Sequence, residues 1–364
     1  MADKKIKDLR KSIDGIVAQI LDLINRRLLI AKDIGAIKNK GGNRIVDSQR
    51  EGTLIERLIS LNKGPLNNYN LNHIFREIIV VSREIQQPLI TRCQDPGSTA
   101  VFAVIGNPVS HSLSPVMHNR AFNHIGFNAV YVPFKVDDIS AAITGLRAMN
   151  IQGASITIPH KVAVMDCLDE TDKTAAQIGA VNTILNKEGR LFGYNSDCPG
   201  AILALGAKTT VRNKKVVILG AGGAAHAIGY GIVQEGGKLT IVNRSRGKGE
   251  KLSNTLNAEF QPLSDFKKID GDILINTTPV GMAPHVDQMP LEKEMLTDDL
   301  IVMDIIYNPL KTCLLREAER IGCTVINGLA MFVHQGAFQF ELWTGEKAPM
   351  DVMEEAVVDV LQRI

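Results

Sequence analysis

Lys215-Val-Val-Ile-Leu-Gly-Ala-Gly-Gly-Ala-Ala225 is a short apolar strand running into a glycine turn and then into a helix pattern. Gly220, Gly222 and Ala225 have the G-x-G-x-x-A spacing that lets backbone come close to a pyrophosphate at a helix N-terminus. The next apolar segment, Leu239–Val242, ends about twenty residues on at Asn243-Arg244-Ser245, where an NAD site places a carboxylate for the ribose hydroxyls. Arg244 stands there instead, with Arg246 and Lys248 nearby, so a 2′-phosphate is met by positive charge and the cofactor reads as NADP. Taken alone, Arg244 would be an ordinary surface cation. The cofactor set is Gly220, Ala221, Gly222, Gly223, Ala224, Asn243, Arg244, Ser245 and Lys248.

Outward from this turn the alternation continues in both directions. Val101–Ile105, Ala129–Phe134, Gly153–Ile158 and Val181–Leu185 precede it, and Ile273–Asn276, Ile301–Asp304 and Thr324–Ile326 follow. Short apolar strands alternating with helices predict an α/β part with mostly parallel sheets. In Gly153-Ala-Ser-Ile-Thr-Ile-Pro-His-Lys161, Pro159 suits a first helical turn, and Lys161 is expected beside the positive end of a helix dipole, a placement that eases proton donation. Asp197 follows another strand-like segment, so Lys161 and Asp197 make a candidate proton-transfer pair. Ser112 and Ser114 precede a proline-started helix, in which Ser114 could simply be the N-cap. His111 reads as a loop histidine.

Residues 1–92 differ in kind. Long helical periodicity, broken at Lys40-Gly-Gly-Asn43 and Gly64-Pro65, predicts three helices. Leu9, Ile13, Ile16, Ile20 and Leu23 form an apolar stripe whose continuation is Arg27, and a guanidinium in a buried stripe calls for a carboxylate or phosphate. Lys38 falls on nearly the same face about 16 Å further on. Arg10, about 42 Å from Lys38 along one helix, cannot serve the same small ligand within a single chain. Asp47, Arg50 and Glu51 share one face of the second helix, as Ser82 and Gln86 do of the third.

Composition bounds the partners. The 364 residues carry 41 Lys+Arg against 39 Asp+Glu, a net charge of +2 that gives no general attraction to nucleic acid or an anionic membrane. Five cysteines without a C-x-x-C pair read as free thiols, and no residue set is assigned to a metal. The N-terminus is charged and no run of about eighteen apolar residues occurs, so a cytoplasmic protein is expected.

Two resemblances cover most of the chain. Leu9-Arg10, Asn25-Arg-Arg27, Gly35-Ala-Ile-Lys38, Asp47-Ser-Gln-Arg50-Glu51 and Ser82-Arg-Glu-Ile-Gln86 resemble the all-helical chorismate mutase family. That resemblance implies that Arg10, Arg27 and Arg50 bind the two substrate carboxylates. Lys38 and Gln86 would hydrogen-bond the breaking ether oxygen, Asp47 and Glu51 would hold the hydroxyl, and Ser82 would lie beside a carboxylate. It also implies an intertwined homodimer through the helical module. Val17 departs from the acidic residue of many members.

From about residue 101 to 350 the chain resembles shikimate dehydrogenase, through Ser112-Leu-Ser114, Thr157-Ile-Pro-His-Lys161, Gly179-Ala-Val-Asn182, Asn195-Ser-Asp197, the glycine turn, Asn243-Arg244-Ser245, Asp304-Ile-Ile-Tyr307 and the segment reaching Gln335. By resemblance Ser112 and Ser114 bind the shikimate carboxylate, Thr157, Asn182, Tyr307 and Gln335 position the ring, and Lys161 with Asp197 form the catalytic pair. Ser155 stands where many bacterial members have asparagine, and Lys248 where many have arginine.

The expected architecture is an all-α three-helix module at 1–92 and a linker at 93–99. A substrate domain at 100–200, completed by 328–364, and a Rossmann NADP-binding domain at 201–327 follow. The expected function is bifunctional: reversible NADP-dependent reduction of 3-dehydroshikimate, and rearrangement of chorismate to prephenate. The alternative is a shikimate or quinate dehydrogenase whose helical module senses chorismate or prephenate without catalysis.

Overall fold

The computed structural model of the protein describes residues 2–40, 48–86 and 99–362. Contacts divide the chain into two units, Met1–Gly97 and Ser98–Ile364. Among the described residues no helix is long and apolar enough to cross a membrane.

The first unit is helical. α1 spans Ala2–Lys40 as one continuous helix, α2 spans Ser48–Leu61 and α3 spans Asn68–Gln86. The break between α2 and α3 holds Gly64-Pro65, which a helix interior does not accommodate. The sequence predicts a buried apolar stripe on α1. Within this unit it is largely exposed instead, Leu9, Ile13, Ile16 and Leu23 each more than half so. Only near its C-terminal half do Ala31 and Gly35 go under, where α1 packs on α3.

In the second unit the elements run β1 (Ala100–Gly106), α4 (Ser114–Ile125), β2 (Ala129–Lys135), α5 (Ile139–Ala148), β3 (Gly153–Ile156), β4 (Glu170–Thr171), α6 (Lys173–Ile178), β5 (Thr183–Lys187) and β6 (Arg190–Tyr194). They continue through α7 (Asp197–Gly206), β7 (Lys215–Leu219), α8 (Gly223–Gln234), β8 (Lys238–Asn243), α9 (Arg246–Leu256), β9 (Glu259–Pro262) and β10 (Ile273–Asn276). β11 (Ile301–Asp304), α10 (Cys313–Ile321), β12 (Thr324–Ile326), α11 (Gly328–Thr344) and α12 (Met350–Leu361) complete it.

Two six-stranded sheets result, ordered β2-β1-β3-β5-β6-β4 and β12-β11-β10-β7-β8-β9. The second is parallel throughout, and its order reverses between β7 and β10, the place where an open α/β sheet binds its ligand. The first is mixed, since β5 runs antiparallel to both β3 and β6. Its own order reverses between β1 and β3. β4, β6 and β9 lie outside the strands read from apolar runs because they are short or carry charged and polar residues.

The two sheets have separate cores joined by one helix. Ala201, Leu205, Ile218 and Ile275 pack with Met331 of α11 in one, whereas Leu329, Val333, Phe340 and Trp343 of the same helix pack with Phe102, Phe122 and Tyr131 in the other. The C-terminal helices thus fold back on the earlier half, with α12 lying on α4.

Candidate active site

Lys161 and Asp197 meet. Their side chains form an ion pair with little exposure, 16% and 8%, and Asp197 accepts a second bond from Asn182 Nδ2 at 2.8 Å. The local geometry differs from expectation. Ile158–Pro159 is a cis peptide in a turn, Lys161 sits in the next turn, and only a five-residue 3₁₀ segment, Ala163–Cys167, follows. No α-helix begins at Lys161, so the helix-dipole argument does not apply to it. The helix N-terminus belongs to Asp197, the first residue of α7, where a negative charge is well placed. Asn195 Oδ1 accepts from the N–H groups of Asp197 and Cys198 and fixes that helix start.

A network holds the pair from behind. Asn182, buried, accepts through Oδ1 from Ser196 N–H at 2.7 Å and from Thr183 Oγ1 at 2.8 Å. Gln339 on α11 donates to Thr183 Oγ1 at 2.9 Å and accepts from Ser155 Oγ at 2.8 Å. Ser155 in turn accepts from the Tyr131 hydroxyl at 2.6 Å, and burial raises the pKa of that tyrosine. Ser155 is thus a buried relay, where a longer side chain would project further. Gln335, one helical turn before Gln339, is also buried and lies against Ser196 Oγ at 3.4 Å. Gln339, Asn195 and Tyr131 receive no role from the sequence reading. Only Gln339 carries a signal, its i, i+4 spacing from Gln335 on one helix face.

Ser114 does not cap its helix. Leu113 occupies the cap position, Ser114 is the first helical residue with its side chain buried, and its N–H donates to Ser112 Oγ at 3.3 Å. Tyr307 stacks on Phe332 with ring centroids 4.2 Å apart. Burial raises its pKa and the Leu113 backbone opposes that shift, so its hydroxyl lies near the loop that carries Ser112 and Ser114. Thr157 is half-buried just past β3, its N–H bound to Ile105 O at 2.9 Å. Ser112, Ser114, Thr157, Lys161, Asn182, Asp197, Tyr307 and Gln335 therefore frame one region at the β1/β3 reversal. His111 is exposed in its loop.

The glycine turn adjoins this region. Gly220 has φ +115° and a Cβ there would come within 2.5 Å of Thr277 Oγ1, so only glycine fits between the ends of β7 and β10. Gly222 precedes α8 with no side chain capping it, leaving the first N–H groups open. A Cβ at Gly223 would lie 3.2 Å from Lys161 Cδ, which puts the lysine stem directly over this helix start. At the end of β8, Asn243 donates to Ser245 O at 2.8 Å, while Arg244, Ser245 and Lys248 are exposed. Arg246, exposed beside them, pairs with Glu250 at 2.9 Å, an exposed i, i+4 contact of small energy. Open N–H groups, a glycine cradle and exposed cations beside a strand end without a carboxylate fit a dinucleotide bearing a 2′-phosphate.

In the helical unit Arg27 is half-buried and faces α3. Its Nη1 donates to Ser82 Oγ and to Ile78 O at 3.3 Å, and Ser82 is 3% exposed. Arg27 and Ser82 are thus brought together. Lys38 is half-buried, whereas Arg10 and Arg50 are exposed. Asp47 lies outside the described residues, as do the side chains of Glu51 and Gln86. The described cysteines Cys167, Cys198, Cys313 and Cys323 are free thiols.

Comparison with known proteins gives four family matches in chain order. Residues 9–87 match chorismate mutase type II, 104–184 the shikimate dehydrogenase substrate binding domain, 203–306 shikimate / quinate 5-dehydrogenase, and 328–358 the shikimate 5′-dehydrogenase C-terminal domain. Shikimate dehydrogenase (NADP(+)) of Methanothermobacter thermautotrophicus is 44% identical over 280 residues, covering 73% of this chain and 99% of its own. A shikimate dehydrogenase solved in complex with NADP+ superposes with TM-score 0.69 at 42% identity, covering 73% of this chain and 96% of the other. The Thermus thermophilus enzyme, solved with NADP(H) and shikimate, gives 0.68 at 35%, covering 72% and 100%. With 73% of its length aligned to such an enzyme at 44% identity and residues 9–87 matched separately, the chain belongs to the shikimate dehydrogenase family, fused to a type II chorismate mutase module.

Proposed function

We propose that this protein is a bifunctional enzyme that reversibly reduces 3-dehydroshikimate to shikimate with NADPH and rearranges chorismate to prephenate. The observation that carries the first activity is the Lys161–Asp197 pair lying over the glycine turn at Gly223. The substrate domain comprises 100–200 completed by 328–364, and the Rossmann domain 201–327.

NADP, when bound, supplies or accepts the hydride. The chain's own residues do the rest. Ser112 and Ser114 take the substrate carboxylate, while Thr157, Asn182, Tyr307 and Gln335 fix the ring. Lys161 gives its Nζ proton to the carbonyl oxygen as that oxygen gains charge, and takes it back in the reverse direction. Asp197, held by Asn182, keeps the ammonium aimed and balances its charge. Thr277 and the glycine turn wall the pocket on the cofactor side.

In the helical module the chemistry is unimolecular and needs no nucleophile. Arg27 and Ser82 clamp one carboxylate end, and Lys38 with Gln86 stabilises charge on the departing ether oxygen. Asp47, Glu51 and Arg50 complete the substrate contacts. The exposed apolar stripe of α1 supports a homodimer through this module, and Arg10 then comes from the second chain. The chemistry suits the cytoplasm, where both substrates are small soluble anions.

Assays of the purified full chain test both halves separately. NADP reduction with shikimate should exceed NAD reduction, and chorismate should be consumed without either cofactor. Absence of chorismate turnover, with tight chorismate or prephenate binding, would reduce the helical module to a sensor.

A further inference from the structure

Asp304 ends β11 with no exposure at all and, among the described residues, no ion pair. Burial raises its pKa to about 6, so the fold carries an unfavourable group there that an apolar side chain would avoid. What it receives in return is three donors. Oδ1 accepts from Ile306 N–H at 3.1 Å and from Asn276 Nδ2 at 3.1 Å, and Oδ2 accepts from Thr312 Oγ1 at 2.7 Å. Each donor belongs to a different segment. Asn276 ends β10, and its Oδ1 accepts from Thr278 N–H and Oγ1 at 3.0 and 2.7 Å, setting the loop that begins with Thr277 against the glycine turn. Thr312 caps α10 by accepting from Leu315 N–H at 3.3 Å. Ile306 immediately precedes Tyr307.

The loop between β11 and α10 is therefore pinned at both ends by one carboxylate, and Tyr307 is the residue it presents. The Tyr307 ring leans on Phe332, and its hydroxyl lies near the Leu113 backbone, in the loop that carries Ser112 and Ser114. We propose that Asp304 is a positioning residue for the dehydrogenase site, setting the loop that places Tyr307 against the substrate-binding serines. This rests on the assignment of Tyr307 to the shikimate site.

The test is a double-mutant cycle on the full chain, read as kcat/KM for shikimate at saturating NADP. Tyr307→Phe, which removes one hydrogen bond to substrate or to its serine loop, should cost about tenfold. Asp304→Ala should cost about tenfold as well. If Asp304 acts through Tyr307, the double variant should fall within about threefold of Tyr307→Phe alone, since contacts acting as a unit are not additive. Asp304→Asn keeps an oxygen for Ile306 N–H and should recover to within about threefold of the parent. Should Asp304→Ala not fold, Asp304→Ser leaves a hydroxyl for the buried donors and gives the same cycle. A double variant about a hundredfold down, or an Asp304→Ala enzyme unchanged while Tyr307→Phe is impaired, would overturn the positioning role. Tyr307→Phe without effect would instead remove Tyr307 from the site, and this inference with it.

Discussion

Lys161→Ala isolates the chemical step of the dehydrogenase. The substitution removes the ammonium but leaves Asp197 with Asn182 Nδ2 at 2.8 Å and its place at the start of α7, so the carboxylate keeps one donor and a favourable helix end. Because both partners are nearly buried, 16% and 8% exposed, the unpaired carboxylate should cost roughly 1–3 kcal/mol of stability, which a folded domain of this size tolerates. The catalytic loss is larger. A positioned proton donor is worth about 10²–10⁴ in rate, or roughly 3–5 kcal/mol of barrier, and the loss falls on kcat because the proton moves only in the transition state. In the proposed site NADP binding rests on the glycine turn and Arg244, and Lys161 contributes only its stem over Gly223, so the KM for NADP should stay within about twofold. Initial rates of NADPH formation from shikimate, with both substrates varied, measure all three quantities in one experiment. A variant that keeps kcat within about tenfold of the parent while remaining folded would show the ion pair to be structural, and the proton route would have to be sought elsewhere.

Three further outcomes follow from other parts of the molecule. Arg244→Ala should raise the KM for NADP and leave that for NAD little changed if, as proposed, the exposed guanidinium serves only the 2′-phosphate; equal losses with both cofactors would refute that role. His118 is fully buried with neither ring nitrogen hydrogen-bonded among the described residues, and burial lowers its pKa to about 3. Its neutral form thus contributes stability above the unfolded value of 6.5 that is lost as the pH falls toward 3, about 2 kcal/mol between pH 7.5 and 5. Burial shifts His226 and His334 the same way, whereas Asp304, raised to about 6, destabilises as the pH rises from 3.8 through 6. Urea unfolding of His118→Phe should therefore show a flatter acid limb than the parent, and parallel limbs would discount the histidine. Mixing inactive Arg10→Ala with inactive Lys38→Ala chains should restore part of the mutase activity, because a separation of 28 residues along the continuous helix α1 places the two about 42 Å apart. Failure after demonstrated subunit exchange would sink the shared site.

The parts of the fold that the residues announce are those whose physics is local. Apolar runs such as Lys215–Leu219 and Ile273–Asn276 are strands with unchanged limits, and the glycine turn behaves as its spacing requires. Pro159 misleads, because a proline after a strand suits a helix start and a tight turn alike, and nothing near Lys161 distinguishes them. The charge of a helix end belongs not to Lys161 but to its partner Asp197, 36 residues later. Ser114 looks like a cap because it precedes a proline, yet the cap position is one residue earlier. The supporting network is illegible for a different reason. Ser155 and Gln339 are 184 residues apart, and only the packing of α11 across the first sheet brings them within 2.8 Å.

Because α11 gives Met331 to one core and Val333, Phe340 and Trp343 to the other, it also limits how such a chain can be recombined. A graft exchanging the nucleotide half for that of a relative with another cofactor cannot end at β12. It would leave Met331 facing a wall it was not shaped for, and extending the exchange through α11 would take from the substrate half the helix that carries Gln335 and Gln339. Cofactor preference is better altered at the exposed end of β8, where Arg244, Ser245 and Lys248 lie outside both cores. The helix between them is shared property, and a lineage that diverges in substrate and in cofactor has to keep it common to both.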